Sequence, residues 1–510
     1  MLCKGMVIKM KPAAIFTDNM VLQRHKPICI FGEYEPNEQD KTITVSLGEY
    51  KATAGIKNGK WYAYLPEMEA QDNLNLTISV SGGEKVTFKN LAIGEVWLAG
   101  GQSNMEFFLA NSKDADKHMS DARKANIRYY NVPRCAMINE DLYKAEKNSH
   151  WELSDSDTLG VWSAVGCHFA KNLSEKLDCT VGIVGCNLGG TSASVWVDEK
   201  TLNSDKDTNV YLETYKQACG GLTEEEQIKV YDEYLEYEKV WNEKLAVIQK
   251  EHPELSWDDV QKEIGECKWP GPMGIKNPYR PCGLYHTMIQ RIAPFTFKGI
   301  IYYQGEEDAS RCDIYYKLFT KLICKWREDF KDSDMPFLCV QLPMFGYEDA
   351  SDDKTWPVIR EAQMKASETL NNVHTAVILD CGELNNIHPI DKKPVGDRLS
   401  LLALKNVYGF DNCDAYGPVL REIKKTSDGY DLTFDNSENG FVIRDKIQGF
   451  EISYDGKSFE EIIPEISGSK MYIKCDSDAK EIRYQWFNYN EVTIFGKNGI
   501  PLAPFRKKLI

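Results

Sequence analysis

The sequence predicts an α/β fold: a doubly wound parallel sheet core with flanking amino- and carboxyl-terminal β domains and a helical insertion. Three observations predict it. Short apolar runs recur through the middle of the chain and stop at glycine or polar residues, as buried strands do. They are Val96-Trp97-Leu98-Ala99, Val181-Gly182-Ile183-Val184, Gly299-Ile300-Ile301-Tyr302-Tyr303, Phe337-Leu338-Cys339-Val340-Gln341 and Thr375-Ala376-Val377-Ile378-Leu379. Helical periodicity lies between them: Val161, Val165, Phe169, Leu173 and Leu177 repeat every four residues, and further helices are expected around 311–330 and 356–370. Strands alternating with helices point to a parallel sheet. Both ends of the chain instead carry short alternating runs separated by turns.

Residues 1–91 read as an amino-terminal antiparallel β domain, with runs such as Ile28-Cys29-Ile30-Phe31-Gly32, Ile43-Thr44-Val45-Ser46-Leu47 and Leu76-Thr77-Ile78-Ser79-Val80. The first part of the core spans 92–197. From 198 to 270 the composition changes. Leu222-Thr223-Glu224-Glu225-Glu226 carries a capping-box signal. A charged helix follows to about Glu251, and Ser256-Trp257-Asp258-Asp259 starts another. This is read as a helical insertion whose mixed charges are most simply a solvated face, with a lid or dimer contact as the functional alternative. Trp269-Pro270-Gly271 returns the chain to the second part of the core, 271–410. Residues 411–510 read as a carboxyl-terminal β domain, from Leu432-Thr433-Phe434, Phe450-Glu451-Ile452-Ser453-Tyr454 and Met471-Tyr472-Ile473.

A chain of 510 residues exceeds one domain, since about 150 residues per domain is the prior. The formal net charge is −16 and the lysines and arginines are dispersed, which argues against nucleic acid and anionic membranes as partners. No run of 18 apolar residues is present, so no membrane span is expected. The start, Met1 to Lys11, has no apolar core of the secretory kind, and Cys3 has no apolar stretch before it to mark a lipid anchor. Fifteen cysteines, an odd number without CxxC pairs, fit free thiols in a reducing cytoplasm and disfavour structural zinc. Cys186 and Cys381, near two strand ends, read as small packing residues.

The strand at 96–99 ends in Gly100-Gly101-Gln102-Ser103-Asn104-Met105. A serine there is placed off the carboxyl edge of a sheet, where open α/β folds bind ligands and where several hydrolases present a nucleophile. The alternative is a plain turn with Ser103 as a helix N-cap. A serine nucleophile needs a base. Of eight histidines, His388 alone lies just past a strand end, in Asn385-Asn386-Ile387-His388-Pro389; a simple turn before proline is the alternative. His286 is kept as a substrate contact. Two other strand ends carry Asn187-Leu188-Gly189-Gly190-Thr191 and Gln304-Gly305-Glu306-Glu307-Asp308. A glycine amide and a side-chain amide both qualify as oxyanion donors. A backbone crossing and a solvated acidic loop are the plain alternatives.

Together these segments resemble the sialate O-acetylesterase family within the SGNH hydrolases, and imply an SGNH-type core. The resemblance rests on Gly94 to Met105, Gly189-Gly190-Thr191 with Trp196, Leu284-Tyr285, Tyr303-Gln304-Gly305-Glu306, and Ile387-His388-Pro389 with Lys392, Val395-Gly396 and Arg398-Leu399. Asp18 to Arg24, Ile482 to Trp486 and Gly499 to Arg506 extend it to both ends. It implies Ser103 as nucleophile and His388 as general base. It implies an oxyanion hole of the Ser103 and Gly190 amides with the Gln304 side chain, Gly189 being the weaker donor. Glu306 ties loops together in that scheme. No metal or other cofactor is implied, and the partner is a small O-acetylated sugar. Trp196 could stack on a sugar face or pack in the core; Arg280 could pair with a sugar carboxylate or form a surface salt bridge.

One position departs from the family. Many relatives place an aspartate two or three residues before the histidine, where this chain has Asn386 and Asn385. Asn386 and Glu383 are the candidates to orient His388. Either Glu383 or Asp380 reaches the ring, or a backbone carbonyl accepts its N–H, or the enzyme is slow or inactive. Three functions follow. The first is a sialate O-acetylesterase. The second is an acetylesterase of xylo- or manno-oligosaccharides. The third is a catalytically weak carbohydrate-binding protein on the same scaffold. The sequence leaves the oligomeric state open, a homodimer included.

Overall fold

The computed structural model describes residues 10–35, 40–252, 255, 257–475 and 477–509. The expectations about the first nine residues, Cys3 among them, and the start of a helix at Ser256 lie outside these. The chain divides into two compact units. One comprises the chain up to Val132, Asn148–Ala193 and Ile292 onward; the other comprises Pro133–Lys147 and Ser194–Arg291.

The first unit is mixed α/β. Its centre holds six parallel strands: β1 (Lys85–Gly101), β2 (Ile127–Asn131), β3 (Val181–Asn187), β4 (Gly299–Tyr303), β5 (Phe337–Val340) and β6 (Val373–Ala376). Their spatial order is β2-β3-β1-β4-β5-β6. A short strand, Glu152–Leu153, pairs antiparallel on the β2 edge and makes the sheet mixed. Every residue of β3, β4 and β5 is buried. Strands covered on both faces read as continuous apolar runs, which is why these were visible in the sequence. Helices of this unit that frame the site include α1 (Ser103–Glu106), α2 (Ala164–Leu177), α3 (Cys312–Asp329), α4 (Thr355–Thr369) and α5 (Lys393–Asn406).

The strand order reverses at β1. The chain leaves β1 for β2, returns to β3 beside β1, then crosses to β4 on the other side. The carboxyl end of β1 is therefore the switch point at which such sheets bind ligands.

β1 does two jobs. Its residues Lys85–Asn90 alternate between exposed and partly buried, and its first half pairs antiparallel with Gln71–Val80. From Leu91 onward every residue is buried, and Glu95–Gly101 pair with β3 and β4. The amino-terminal β layer and the parallel sheet thus share one strand. In the carboxyl-terminal part, two four-stranded antiparallel sheets and one strand pair enclose a core that includes Leu432, Phe450, Ile452, Ile473 and Tyr484.

Two elements differ from the sequence expectation. Val161 lies before α2 in a 3-10 turn and is 45% exposed. The helix begins only at Ala164, because the Ser163 hydroxyl accepts the Gly166 N–H and caps it there. β6 ends at Ala376 rather than continuing to Leu379, since the Val377 carbonyl is taken by the Arg398 guanidinium on α5 and the chain turns into a 3-10 segment at Leu379.

In the second unit, Thr223 and Glu226 form the expected capping box, and its helix runs over Glu224–Glu251. The next helix is Trp257–Ile264. Among the described residues no helix is long and apolar enough to cross a membrane, and the described cysteines are free thiols.

Candidate active site

Ser103 sits at the switch point because β1 ends in glycine. Gly101 has φ +136, and a Cβ built on it would lie 2.1 Å from the Tyr303 carbonyl oxygen. Only glycine lets β1 approach β4 that closely. The Gln102 N–H then donates to the same carbonyl at 3.1 Å. Ser103 is the first residue of α1 and not its N-cap; Gln102 holds that place, without a side-chain capping bond. The Gln102 side-chain oxygen accepts the Gly305 and Glu307 N–H groups, at 3.4 and 3.3 Å, pinning the turn after β4. Ser103 Oγ is 2.8 Å from His388 Nε2. The fold thus brings together a serine and a histidine 285 residues apart.

The turn after β3 lies against the serine. A Cβ on Gly189 would be 3.3 Å from the Ser103 Cβ, tighter than ordinary van der Waals contact. The Gly189 N–H is spent on Glu106 Oε2 at 2.7 Å. The Ser103 and Gly190 N–H groups make no hydrogen bond to any described residue.

Gln304 is engaged by neighbouring loops. The sequence expectation puts its side-chain amide in the oxyanion hole, but the residue is fully buried and saturated. Its Nε2 donates to Asp308 at 2.6 Å and to the Thr191 carbonyl at 3.2 Å. Its Oε1 accepts from the Tyr315 hydroxyl at 3.1 Å. An amide with both N–H groups committed has no donor to offer an oxyanion. Its neighbour Asp308 explains the arrangement: this carboxylate also accepts from Ser192 Oγ at 2.6 Å and the Ala193 N–H at 2.8 Å. Gln304 and Asp308 therefore brace the loop that follows Gly190.

The acidic run Glu306-Glu307-Asp308 is not a solvated loop. Glu306 and Asp308 are buried and only Glu307 is exposed. Glu306 Oε1 accepts from Asn104 Nδ2 at 2.7 Å, and the same Nδ2 donates to the Ile387 carbonyl at 3.0 Å. Asn104 so joins α1, the turn after β4 and the histidine loop. Burial raises the Glu306 carboxyl above its ordinary range.

His388 lies on a solvent-facing loop. Desolvation of its ring, and then the nearby Lys392 ammonium, hold it below the ordinary imidazole value. Its Nδ1 makes no hydrogen bond to a described residue. The three side chains considered for orienting the ring, Asn386, Glu383 and Asp380, are engaged elsewhere. Asn386 Oδ1 accepts the backbone N–H of His388 at 3.0 Å, and Asn386 Nδ2 donates to Glu383 at 2.8 Å. Asp380 is held bidentately by Arg398, at 2.6 and 2.8 Å.

Comparisons with known proteins place the chain beside carbohydrate esterases. Residues 271–389, which carry Gln304, Glu306 and His388, match the family model described as carbohydrate esterase, sialic acid-specific acetylesterase. The sialate O-acetylesterase of Mus musculus is 26% identical over 83% of this chain and 78% of its own length. That of Rattus norvegicus is 24% identical over 99% of this chain and 96% of its own. The crystal structure of a carbohydrate acetylesterase from Xanthomonas citri matches with a TM-score of 0.76 at 25% identity, covering 98% of this chain and all of that one. Over most of its length the chain is similar to sialate O-acetylesterases. It is a carboxylic ester hydrolase.

In this esterase Trp196 is fully buried and packs in the second unit, so its indole offers no face to a sugar. Arg280 donates to the Ile275 carbonyl at 2.9 Å, and His286 bridges Glu199 and Gln290. Among the described residues no three His, Cys, Asp or Glu side chains are grouped to hold a metal ion. The roles of Asn104, Asp308 and Lys392 escaped sequence reasoning, which had no means of locating buried polar partners on separate loops. Asp308 carried one signal: a third acid in a short run directly after a buried strand.

The esterase also makes a definite demand of residue 386. The Asn386 amide is used at both ends, its oxygen accepting and its nitrogen donating. Aspartate would set two carboxylates together at the Glu383 contact. Asn386→Asp is therefore expected to lower kcat/KM by about tenfold, the loss of one buried-type hydrogen bond of roughly 1.4 kcal/mol. Adding Glu383→Gln, which restores a donor, is expected to recover most of it. An increase in rate on Asn386→Asp alone would mean that the new carboxylate reaches the imidazole.

Proposed function

We propose that this esterase removes acetyl groups from sugar hydroxyls by a serine mechanism, with Ser103 as nucleophile and His388 as general base. The observation that carries the reading is the 2.8 Å contact between Ser103 Oγ and His388 Nε2 at the switch point. His388 takes the Ser103 proton as Oγ attacks the acetyl carbonyl. The N–H groups of Ser103 and Gly190 receive the oxyanion of the tetrahedral intermediate. His388 returns the proton to the departing sugar oxygen, leaving an acetyl-serine. Water, deprotonated by His388, attacks that ester; the Oγ–acyl bond breaks, acetate leaves and His388 returns the proton to Ser103 Oγ. Glu306 and Gln304 hold the loops in this scheme. The strand order and the strand-end positions of these groups support an SGNH-type core.

O-acetylated sialic acids are the first substrates to test, because the family model and the mammalian relatives carry that specificity in their names. The neighbour from Xanthomonas citri, a carbohydrate acetylesterase, keeps acetylated xylo- and manno-oligosaccharides as the second class. Free thiols support a cytoplasmic site of action on small substrates. The experiment is acetate release from both substrate classes, with Ser103→Ala as control. Ser103-dependent release from sialic acids alone confirms the first class. Release from the plant sugars alone replaces the substrate and keeps the mechanism.

The pH dependence carries a sign. A general base works only when neutral, so activity is lost as pH falls through the His388 pKa. That pKa is lowered by desolvation and by Lys392. The acid limb of kcat/KM is expected below the ordinary imidazole value of 6.5. A limb at or above that value would contradict the assigned surroundings of the ring.

A further inference from the structure

We propose that Lys392 is a positioning residue of the acyl-transfer site, a buried ammonium post that fixes the Asn104 amide and through it the placement of Ser103 against His388. The proposal rests on the serine mechanism above.

Lys392 is 1% exposed, a rare place for a lysine without a carboxylate contact. Its Nζ donates to Asn104 Oδ1. It also lies 4.8 Å from the Phe107 ring centroid and 5.6 Å from that of Tyr303, both within cation–π range. Burial pushes its pKa down to about 8. A methionine would fill this space without the desolvation cost, so the charge itself calls for an explanation.

Chemistry supplies one. An ammonium only donates, so it can be satisfied only by the oxygen of the Asn104 amide. That fixes the flip of the amide and turns Nδ2 toward Glu306 Oε1 and the Ile387 carbonyl. Asn104 follows Ser103 in the chain and Ile387 precedes His388. The brace therefore joins the nucleophile and the base one residue away from each. His388 Nδ1 has no carboxylate to set its ring, and this brace does that placing instead. The ammonium also disfavours a second positive charge on the imidazole, which keeps Nε2 free to accept. The charged groups that face Lys392 are Glu306 from the turn after β4 and Cys381 and Glu383 from the segment after β6, with His388 beside it.

The test is the pH profile of kcat and KM for p-nitrophenyl acetate in Lys392→Met, with a thermal melt alongside. Loss of the brace is expected to lower kcat about 10- to 100-fold, the scale of a small misplacement, with KM little changed. Loss of the charge is expected to move the acid limb upward, which a merely structural residue would not do. Lys392→Arg is expected to keep the acid limb in place. If Lys392→Met does not fold, Asn104→Asp decides. It keeps the Lys392 contact but faces Glu306 and the Ile387 carbonyl with an acceptor. Lower kcat and an acid limb shifted upward are expected there. A folded variant of either kind with the wild-type kcat and acid limb overturns the proposal, as does a lowered kcat with an unmoved limb. An active Ser103→Ala would instead overturn the serine mechanism itself, so the two failures are distinguishable.

Discussion

Ser103→Ala is expected to lower kcat/KM for p-nitrophenyl acetate by about 10⁴- to 10⁶-fold while leaving the thermal melt within a degree or two of wild type. In a serine hydrolase the nucleophile and its base act as a unit, and removing either removes nearly all of the covalent route. Ser103 Oγ is the hydroxyl that meets His388 Nε2, at 2.8 Å. Its loss takes away no packing, because the serine is the first residue of a short helix and Gln102 holds the cap position. His388→Ala is expected to cost a similar factor, and the double variant little more than either. A residual rate above water is expected from the Ser103-position and Gly190 amides alone. A Ser103→Ala enzyme within tenfold of wild type would place the nucleophile elsewhere.

Gly101→Ala is expected to cost about 4 kcal/mol or more in stability, the range reserved for backbone strain and overpacking together. The added methyl would sit 2.1 Å from the Tyr303 carbonyl oxygen, at φ +136. Neither β1 nor β4 can yield, since the two are paired in the buried centre of the sheet. The comparison is Gly48→Ala, at φ +57 with nothing within 4 Å of the added atom. There only the left-handed conformation is penalised, at roughly 1–2 kcal/mol. Chemical denaturation of the two variants measures the difference. Equal, small losses would mean that the strand ends are not held as closely as the structure has them.

The two positions together show what a reader of the sequence sees and what stays hidden. The strand that ends in Gly100-Gly101, and the serine after it, are local: apolar run, glycine, polar residue. So are the capping box at Thr223 and Glu226 and the continuous apolar runs of β3 to β5. His388 was found by the same rule, a polar residue past a strand end. What the sequence could not show is partnership between loops. Gln304 looks like a free amide until Asp308, Thr191 and Tyr315 are seen to use every group it has. Asn386 looks like a weakened acid until its two bonds appear. The shared strand β1 was likewise hidden. Its alternating half and its continuous half follow different patterns, though one strand carries both.

The most direct test of the account is rapid-quench mass spectrometry during turnover of an acetylated sugar, followed by peptide mapping. The account predicts one acetyl group, transiently, on the peptide that carries Ser103, absent in Ser103→Ala. An acetyl group on another residue, or steady acetate release with no acetyl-enzyme and no dependence on Ser103, would contradict it.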